Sequence, residues 1–218
     1  RLEQQVVDKK LRVGDYVYLT DFQKQKVFMT YWDKSIGDGS FYPIGGGREG
    51  DDPLESLKRE VQEESNNQIV LDKTKFLFLT KANILRSFVY NDGVGWDGKS
   101  MNFYVYPISV NEVEDRPLFD ADESWDYKWH PLLQVIKQNQ YVTFSIWLDF
   151  CERNNFSCFE PDQEVILYYL AYLLDKNRVT VLSDIGSDSD CVLRYQPASQ
   201  EDLQWKKISL EQSLANLE

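Results

Sequence analysis

Three consecutive glycines at positions 45–47 lie just before a segment with strong helix-start signals. Asp52 suits the N-cap position, and Pro53 suits the first helical position because proline has no N–H to leave unpaired. Apolar residues then recur at the spacing of one helix face, at Leu54, Leu57 and Val61. The sequence therefore predicts a glycine-rich loop that leads into an amphipathic helix packed on a core.

The same helix is strongly acidic, with five acidic residues between positions 52 and 64. Glu60, Glu63 and Glu64 have the i, i+3, i+4 spacing that places side chains on one face, where like charges repel. Hard divalent cations relieve such repulsion, and all-oxygen ligation favours Mg²⁺ or Mn²⁺. The glycines would allow the backbone to approach a ligand closely. This combination predicts a metal-loaded site for phosphate chemistry, and the alternative is a solvated acidic helix.

Charge and composition exclude several other classes of function. The net charge of −12 and the pI of about 4.6 argue against non-specific binding of nucleic acid, so a phosphorylated substrate would need bridging metal ions or a local basic patch. His130 is the only histidine, and the three cysteines form no CxxC pair, which argues against histidine-dependent nucleophilic catalysis and Cys/His zinc sites. No run of about 18 apolar residues is present, so no membrane association is expected.

The odd number of cysteines favours free thiols, with a Cys151–Cys158 pair as the alternative. The chain begins at Arg1 rather than methionine, and removal of a secretory signal is one explanation.

Strands and helices are mixed along the chain. Segments rich in β-branched and aromatic residues predict strands at 15–20, 26–32, 75–80, 86–90, 101–106 and 125–130. Helical spacing predicts helices at 132–138, 161–176 and 200–217, with short strands at 179–182 and 192–195. Without strict βαβ alternation, this order favours an α+β or mixed α/β sandwich.

The segment from the glycines to the end of the acidic helix resembles the Nudix box, G-x5-E-x7-R-E-U-x-E-E-x-G-U, in which U is aliphatic. Matching residues at the motif spacing are Gly45, Arg59, Glu60, Val61, Glu63 and Glu64. Three positions depart from the motif: Asp51 replaces a glutamate, Asn66 replaces the final glycine, and Asn67 replaces the last aliphatic residue.

The resemblance implies a Nudix-type α/β/α sandwich around a mixed β-sheet. We expect a lead-in at 1–12, a Nudix hydrolase domain at 13–140, and a helical and β C-terminal extension at 141–218 that packs on the Nudix core.

The resemblance also implies a metal site. Its ligands would be Glu60, Glu63, Glu64 and the main-chain carbonyl of Ile44. Arg59 would orient the carboxylates, and Glu60 would also be the candidate base toward water. A further acidic ligand is expected after the box, with Glu123 first and Asp122 and Asp126 behind it. Alternatively, that acidic segment is a solvated loop.

Substrate contacts are expected outside the box. Candidates for phosphate contacts are Arg48, Lys34, Lys81 and Arg86, together with Lys24 and Lys26. Trp125 is the candidate for stacking on a base, and the other aromatic candidates are Trp32, Tyr90 and Trp96, although large aromatic residues are also common in cores. An aromatic residue between acids, as at 123–126, could sandwich a cationic methylated guanine.

The expected function is Mg²⁺- or Mn²⁺-dependent hydrolysis of a diphosphate linkage in a nucleoside diphosphate joined to another group. Capped RNA, diphosphoinositol polyphosphates and ADP-ribose-like dinucleotides are the substrate classes, and we favour mRNA decapping with release of m⁷GDP.

The size, extension and non-Met start are similar to those of secreted Nudix effectors of plant-pathogenic fungi and oomycetes. Such a protein would act in a host cytoplasm; otherwise a cytoplasmic location is expected. Asp51 and Asn66 motivate an alternative, a catalytically inactive Nudix-fold binding module. The oligomeric state is left open.

Overall fold

The computed structural model describes most of the N-terminal part of the chain and short pieces of the C-terminal part. The described residues are 9–32, 40–65, 67, 69–113, 127–138, 142–156, 165, 168, 172, 179–183, 191–195 and 208–209. The chain divides into two compact units, Arg1–Cys158 and Phe159–Glu218, and each is considered by itself.

The described elements are runs of strands interrupted by a few helices. In chain order they are β1 (Leu11–Asp21), β2 (Lys26–Trp32), β3 (Ser40–Tyr42), β4 (Ile44–Gly47), α1 (Pro53–Glu64), a 3₁₀ turn (Lys73–Lys75), β5 (Leu77–Ile84), β6 (Phe88–Val89), β7 (Gly95–Trp96), β8 (Gly98–Pro107), β9 (Tyr127–Pro131), α2 (Leu132–Gln138), α3 (Phe144–Asn154), β10 (Val179–Ser183), β11 (Cys191–Tyr195) and β12 (Ile208–Ser209).

The first unit contains a seven-stranded mixed sheet in the order β3-β2-β1-β8-β5, with β4 paired to β1 and β9 paired to β2. β1 and β8 are parallel, and the other neighbours are antiparallel. One end of β1, at 19–21, pairs with β2, whereas 14–17 pairs with the glycine strand β4. The change of partner along β1 places the three glycines beside the start of that strand.

Both faces of β1 are covered, which explains why consecutive residues of this strand are buried. Val17 and Leu19 pack in one core with Leu57 and Val61 of α1. On the other face, the ring of Tyr18 meets Trp147 of α3 edge-on at 5.2 Å. Helices therefore cover the central sheet on both sides. The expected mixed α/β fold with a mixed sheet is confirmed.

Most of the predicted elements are confirmed, with shifts at their ends. The paired strands β1 and β2, helix α2 at Leu132–Gln138 and the strands β10 and β11 lie where the sequence placed them. The strand expected at 86–90 is shorter and forms a two-stranded hairpin, in which Phe88–Val89 pairs with Gly95–Trp96. The predicted helix at 161–176 is helical at the three residues that the structure describes, 165, 168 and 172. The first strand begins at Leu11, inside the predicted lead-in.

Two expectations are wrong. The terminal helix predicted at 200–217 is contradicted by Ile208–Ser209, which forms a strand because its backbone pairs with β11, with Leu193 opposite Ile208. Cys151 is disulfide-bonded, so the expectation of three free thiols also fails. Cys151 is buried in α3. A free thiol and a disulfide sulfur both suit an apolar environment, so the sequence around Cys151 could not distinguish them.

The described helices include none that combines the length and the apolar character needed to cross a bilayer.

Candidate functional site

The glycine strand β4 lies very close to β1, and Gly45 permits this approach. Its φ of +152° is rarely adopted by residues with a side chain, and a Cβ at this position would lie 2.2 Å from the Asp15 carbonyl oxygen. At Gly45, the missing side chain therefore allows the close approach of β4 to β1, and the approach of these glycines to a ligand stays a prediction.

Gly46 instead leaves room for a carboxylate of α1. A Cβ at Gly46 would lie 3.0 Å from Glu60 Oε1 and 3.2 Å from Oε2. The Glu60 side chain is only 17% exposed. This burial raises the pKa of Glu60, although the nearby charge and hydrogen bond of Arg59 partly offset the effect.

Arg59 lies between the two glutamates that it was expected to orient. Its Nη2 donates to Glu60 Oε1 at 2.8 Å and its Nη1 donates to Glu63 Oε2 at 2.9 Å. Its Nε is 3.5 Å from Glu49 Oε2 in the loop before the helix. The guanidinium thus neutralises part of the acidic face and fixes the direction of two carboxylates.

Glu64 is held from another element. The Tyr127 hydroxyl, at the start of β9, donates to Glu64 Oε2 at 2.5 Å. Tyr127 is itself buried, so the sheet fixes the position of this carboxylate. Nothing in the sequence of the acidic helix indicated this partner, because Tyr127 lies 63 residues further along the chain.

The three box carboxylates share a helix face but do not point together. Across the described ranges, no three acidic, histidine or cysteine side chains are gathered closely enough to hold a metal ion. Metal ligation by these three residues stays a prediction, but their side chains do not converge in this arrangement. The reason is that Arg59 directs Glu63, which is 60% exposed, while Tyr127 directs Glu64.

A cavity of about 750 Å³ opens beside the glycines. Glu60 and Glu64 line it, and Glu63 is not among its lining residues. Its other lining residues are Leu11, Arg12, Val13, Gly45, Gly46, Gly47, Arg48, Glu49, Gly50, Asp51, Tyr90 and Trp96. Hard oxygen donors at a glycine-lined opening fit the requirements of Mg²⁺ or Mn²⁺, and the missing Cβ of Gly46 leaves the Glu60 carboxylate accessible beside β4.

Arg48, predicted to contact phosphate, is bound to a buried carboxylate. Its Nε and Nη2 donate to the two oxygens of Asp15, both at 2.8 Å, and Asp15 is 1% exposed. The hydrogen bond to Asp15 is the main reason why the pKa of Arg48 is raised. Arg48 lines the cavity, but its charge is compensated from within the sheet.

The remaining predicted site residues have different outcomes. Lys81, on β5, and Arg86, between β5 and β6, are exposed, and neither is among the residues that line the cavity. Ile44 is buried at the start of β4, and a role for its carbonyl stays a prediction. Lys34, Glu123 and Trp125, with Asp122 and Asp126, lie outside the described residues.

Arg12 lines the cavity but was not identified from the sequence. It lies on the part of β1 that was assigned to the lead-in, and its alternation with Leu11 and Val13 was the available signal of an earlier strand start. Tyr90 and Trp96, considered for base stacking, also line the cavity.

Comparison with known proteins gives one family match. The family model described as NUDIX domain matches residues 10–147. No match was found among curated proteins.

Several solved structures are similar to this chain. The MutT/nudix family protein from Enterococcus faecalis is 18% identical, with 57% of this chain and 44% of that chain covered and a TM-score of 0.37. The chain thus spans less than half of that protein. The Nudix domain of Shewanella oneidensis NrtR, solved with ADP-ribose, is 16% identical, with 70% and 91% covered and a TM-score of 0.42. The dihydroneopterin triphosphate pyrophosphohydrolase of E. coli is 16% identical, with 66% and 95% covered and a TM-score of 0.42. Identities and TM-scores this low carry no information on substrate.

Proposed function

This chain belongs to the Nudix family, and we propose that it is a pyrophosphohydrolase that cleaves the diphosphate linkage of a nucleotide-type substrate at the cavity beside β4. The observation that carries the proposal is the placement of Glu60 and Glu64 of the box helix on this cavity, directly beside the glycines. Nudix hydrolases generally use divalent metals, usually Mg²⁺.

Glu60, Glu63 and Glu64 would hold the metal, with the Ile44 carbonyl and a later acid such as Glu123 as further ligands. A bound divalent ion would neutralise phosphate oxygens and lower the pKa of the attacking water. The protein's own contribution is orientation. Arg59 holds Glu60 and Glu63, and Tyr127 holds Glu64, so each carboxylate starts from a defined position, and a bound ion would have to draw the three together.

Glu60 is the proposed base toward water. Its side chain is 17% exposed, against 60% for Glu63, and it borders the cavity. Arg59 binds its Oε1, which fixes the carboxylate against Gly46. A base must be close to its proton and held in place, and Glu60 meets the second condition through these contacts.

The cavity favours a nucleotide over a diphosphoinositol polyphosphate. Two aromatic residues, Tyr90 and Trp96, line it. Because Arg12 and Lys10 each lie over one face of these rings, a planar base would stack on the opposite face. The cavity's basic lining residues are Arg12 and Arg48, and Arg48 is already paired with Asp15. A densely phosphorylated inositol would require several more converging cations.

Among nucleotides we propose capped mRNA, with m⁷GDP as the product. The motivation is the acid-flanked Trp125 in the sequence, together with the aromatic lining residue Trp96. ADP-ribose and similar dinucleotides are the competing substrates. The test is a parallel incubation of capped RNA, ADP-ribose and a diphosphoinositol polyphosphate with Mg²⁺ or Mn²⁺. Consumption of another substrate without m⁷GDP release would reject decapping.

Substitution of the box carboxylates tests catalysis. Glu60→Gln and Glu64→Gln should each reduce turnover by roughly 100-fold or more, because each removes a charge that holds metal or water. Addition of a chelator should abolish turnover in the wild type. Both variants should keep the wild-type melting temperature.

Glu55→Gln is the matched control. Glu55 lies on the same helix, but its Oε1 accepts from Lys73 Nζ at 2.8 Å and it does not line the cavity. Its turnover should equal that of the wild type. Wild-type turnover in Glu60→Gln would refute the catalytic assignment. Binding of a nucleotide without turnover of any substrate would instead support the inactive binding module.

We also propose that the protein is secreted and acts in a host cytoplasm. The disulfide at Cys151 supports secretion but not the site of action, because disulfides persist mainly in oxidising compartments and secreted proteins, whereas the cytoplasm is reducing. Fractionation of the producing cells tests it. Retention of the whole pool inside the cell, with Cys151 reactive to alkylation, would contradict secretion.

A further inference from the structure

Arg12 differs from the other basic residue of the cavity because no described residue is its acidic partner. Arg48 is bound to Asp15 through two hydrogen bonds. Arg12, in contrast, forms no hydrogen bond or ion pair with any residue that the structure describes. Its guanidinium therefore keeps its donors available at the cavity.

Although the described part of the chain offers Arg12 no acidic partner, its side chain is held in place. Its guanidinium carbon lies 3.6 Å from the centre of the Tyr90 ring, a close cation–π contact. Its Nη2 lies 2.8 Å from the position that a Cβ of Gly47 would occupy. The aromatic ring and the glycine together define a slot for this side chain.

Glu60 and Arg12 lie next to two consecutive glycines of β4. Gly46 adjoins the Glu60 carboxylate, and Gly47 adjoins the Arg12 guanidinium. Neighbouring residues of a strand face opposite sides of it, so these two groups flank β4, and both line the cavity. A ligand in the cavity can therefore meet a carboxylate proposed to bind metal and, across this strand, a cation. This arrangement suits a chain of phosphoryl groups, of which one binds metal and its neighbour binds a guanidinium.

The lining of the cavity carries more acidic than basic side chains, so an anionic substrate needs a free cation there. Four acidic side chains line the cavity, from Glu49, Asp51, Glu60 and Glu64, against the two arginines. Because Asp15 compensates Arg48, Arg12 is the lining cation left to attract an anion. A substrate with charge beyond what the metal neutralises needs such a group.

We infer that Arg12, clamped on Tyr90 and next to Gly47, is a substrate-binding residue that binds a phosphoryl group adjacent to the metal-bound one. The inference rests on the proposed function, since it names a further contact of the same site. It assigns binding rather than chemistry to Arg12, and Tyr90 and Gly47 position it.

Inorganic pyrophosphate is the probe, because the diphosphate is common to all three substrate classes. Its affinity is measured by calorimetry in the presence of Mg²⁺. Arg12→Ala should weaken binding by roughly tenfold to a hundredfold, because a charge-assisted hydrogen bond is lost. The affinity of Arg12→Lys should lie between those of the wild type and Arg12→Ala, because lysine keeps the charge but loses the planar contact with Tyr90. Added salt should weaken binding less in Arg12→Ala than in the wild type.

Two further variants separate this role from a structural one. Lys99→Ala is the matched control, because Lys99 contacts Phe88 of the same hairpin at 5.1 Å but does not line the cavity. It should bind pyrophosphate as the wild type does. Gly47→Ala should weaken binding with Arg12 still present, because the new Cβ displaces the guanidinium.

The outcomes distinguish a failure of the Arg12 subsite from a failure of the proposed hydrolase activity. Equal affinities of Arg12→Ala and Lys99→Ala, or no binding by the wild type, would overturn the subsite. Binding that depends on Arg12 without turnover of any substrate would leave the subsite standing and reject the hydrolase activity. For a substrate that is turned over, Arg12→Ala should raise KM far more than it lowers kcat.

Discussion

Gly45 and Gly46 are adjacent and both lack a side chain, but the structure requires each glycine for a different reason. A Cβ at Gly45 would meet backbone atoms, with the Asp15 carbonyl oxygen at 2.2 Å, whereas a Cβ at Gly46 would meet the end of the Glu60 side chain at 3.0 Å. Backbone cannot move aside cheaply, but a carboxylate can rotate. The sequence motif treats the glycines as one run, and the structure separates them into a folding role and a site role.

Alanine substitution should reveal this division. Gly45→Ala should destabilise the fold by about 2 kcal/mol or more, because strain at its φ adds to the clash. Gly46→Ala should keep most of the stability but lower turnover, because Glu60 is displaced from the position where Arg59 holds it. Denaturant unfolding and turnover are measured on both variants. Equal losses of stability would show that the two glycines serve the same purpose.

Arg48 has a structural role that its place in the glycine loop did not indicate. Removal of its side chain would leave the Asp15 carboxylate, 1% exposed, without its partner. Arg48→Ala should therefore destabilise the protein by about 2–3 kcal/mol, somewhat below the cost for a fully buried pair because Arg48 is a quarter exposed. Chemical denaturation measures this change. The double variant Arg48→Ala with Asp15→Asn should recover part of the loss, and no recovery would argue against the pair as its cause.

At the scale of elements, the sequence predicted correctly the helices and strands that are specified by residues close together in the chain. Helix α1 begins where Asp52 and Pro53 placed it, with the Asp52 side chain accepting from the Leu54 N–H. Helix α2 matches its predicted bounds, and the pairing of β1 with β2 follows from their composition and short link. Capping, apolar spacing and turn length act within a few residues, so a single sequence displays them.

Elements that depend on distant partners were missed or misassigned. Helix α3 escaped prediction, although Phe144, Trp147, Leu148 and Cys151 follow helical spacing and are buried. Ile208–Ser209 was assigned to a helix but pairs with β11. The same limit applies to the site, since the box predicted Glu60 and Arg59 but not Tyr127 or Arg12. The partners that hold Glu64 and surround Arg12 lie 63 and 78 residues away in the chain, at Tyr127 and Tyr90. Only the folded sheet brings them together.

At the scale of the whole molecule, the sequence, the family model and the structure give three different C-terminal ends for the catalytic unit. The sequence placed the end of the Nudix domain at 140, the family model extends to 147, and the first compact unit ends at Cys158. Helix α3 lies between these limits. Trp147 is fully buried in it and packs on Tyr18 of β1, and Phe150 and Phe156 also stack with Phe22. The aromatic packing indicates that α3 belongs to the core that supports the sheet.

Truncation tests where the unit ends. A chain ending at 158 should fold cooperatively and keep turnover, because it retains every described lining residue of the cavity and the aromatic packing on Tyr18 and Phe22. A chain ending at 140 should be unstable, since loss of Trp147 alone removes a contact that typically contributes about 3–5 kcal/mol. Thermal unfolding and turnover are compared with the 218-residue chain. A chain ending at 140 that folds and turns over substrate normally would show that α3 is dispensable. Failure of the chain ending at 158 would show instead that residues 159–218 support the catalytic unit, as expected of an extension packed on the Nudix core.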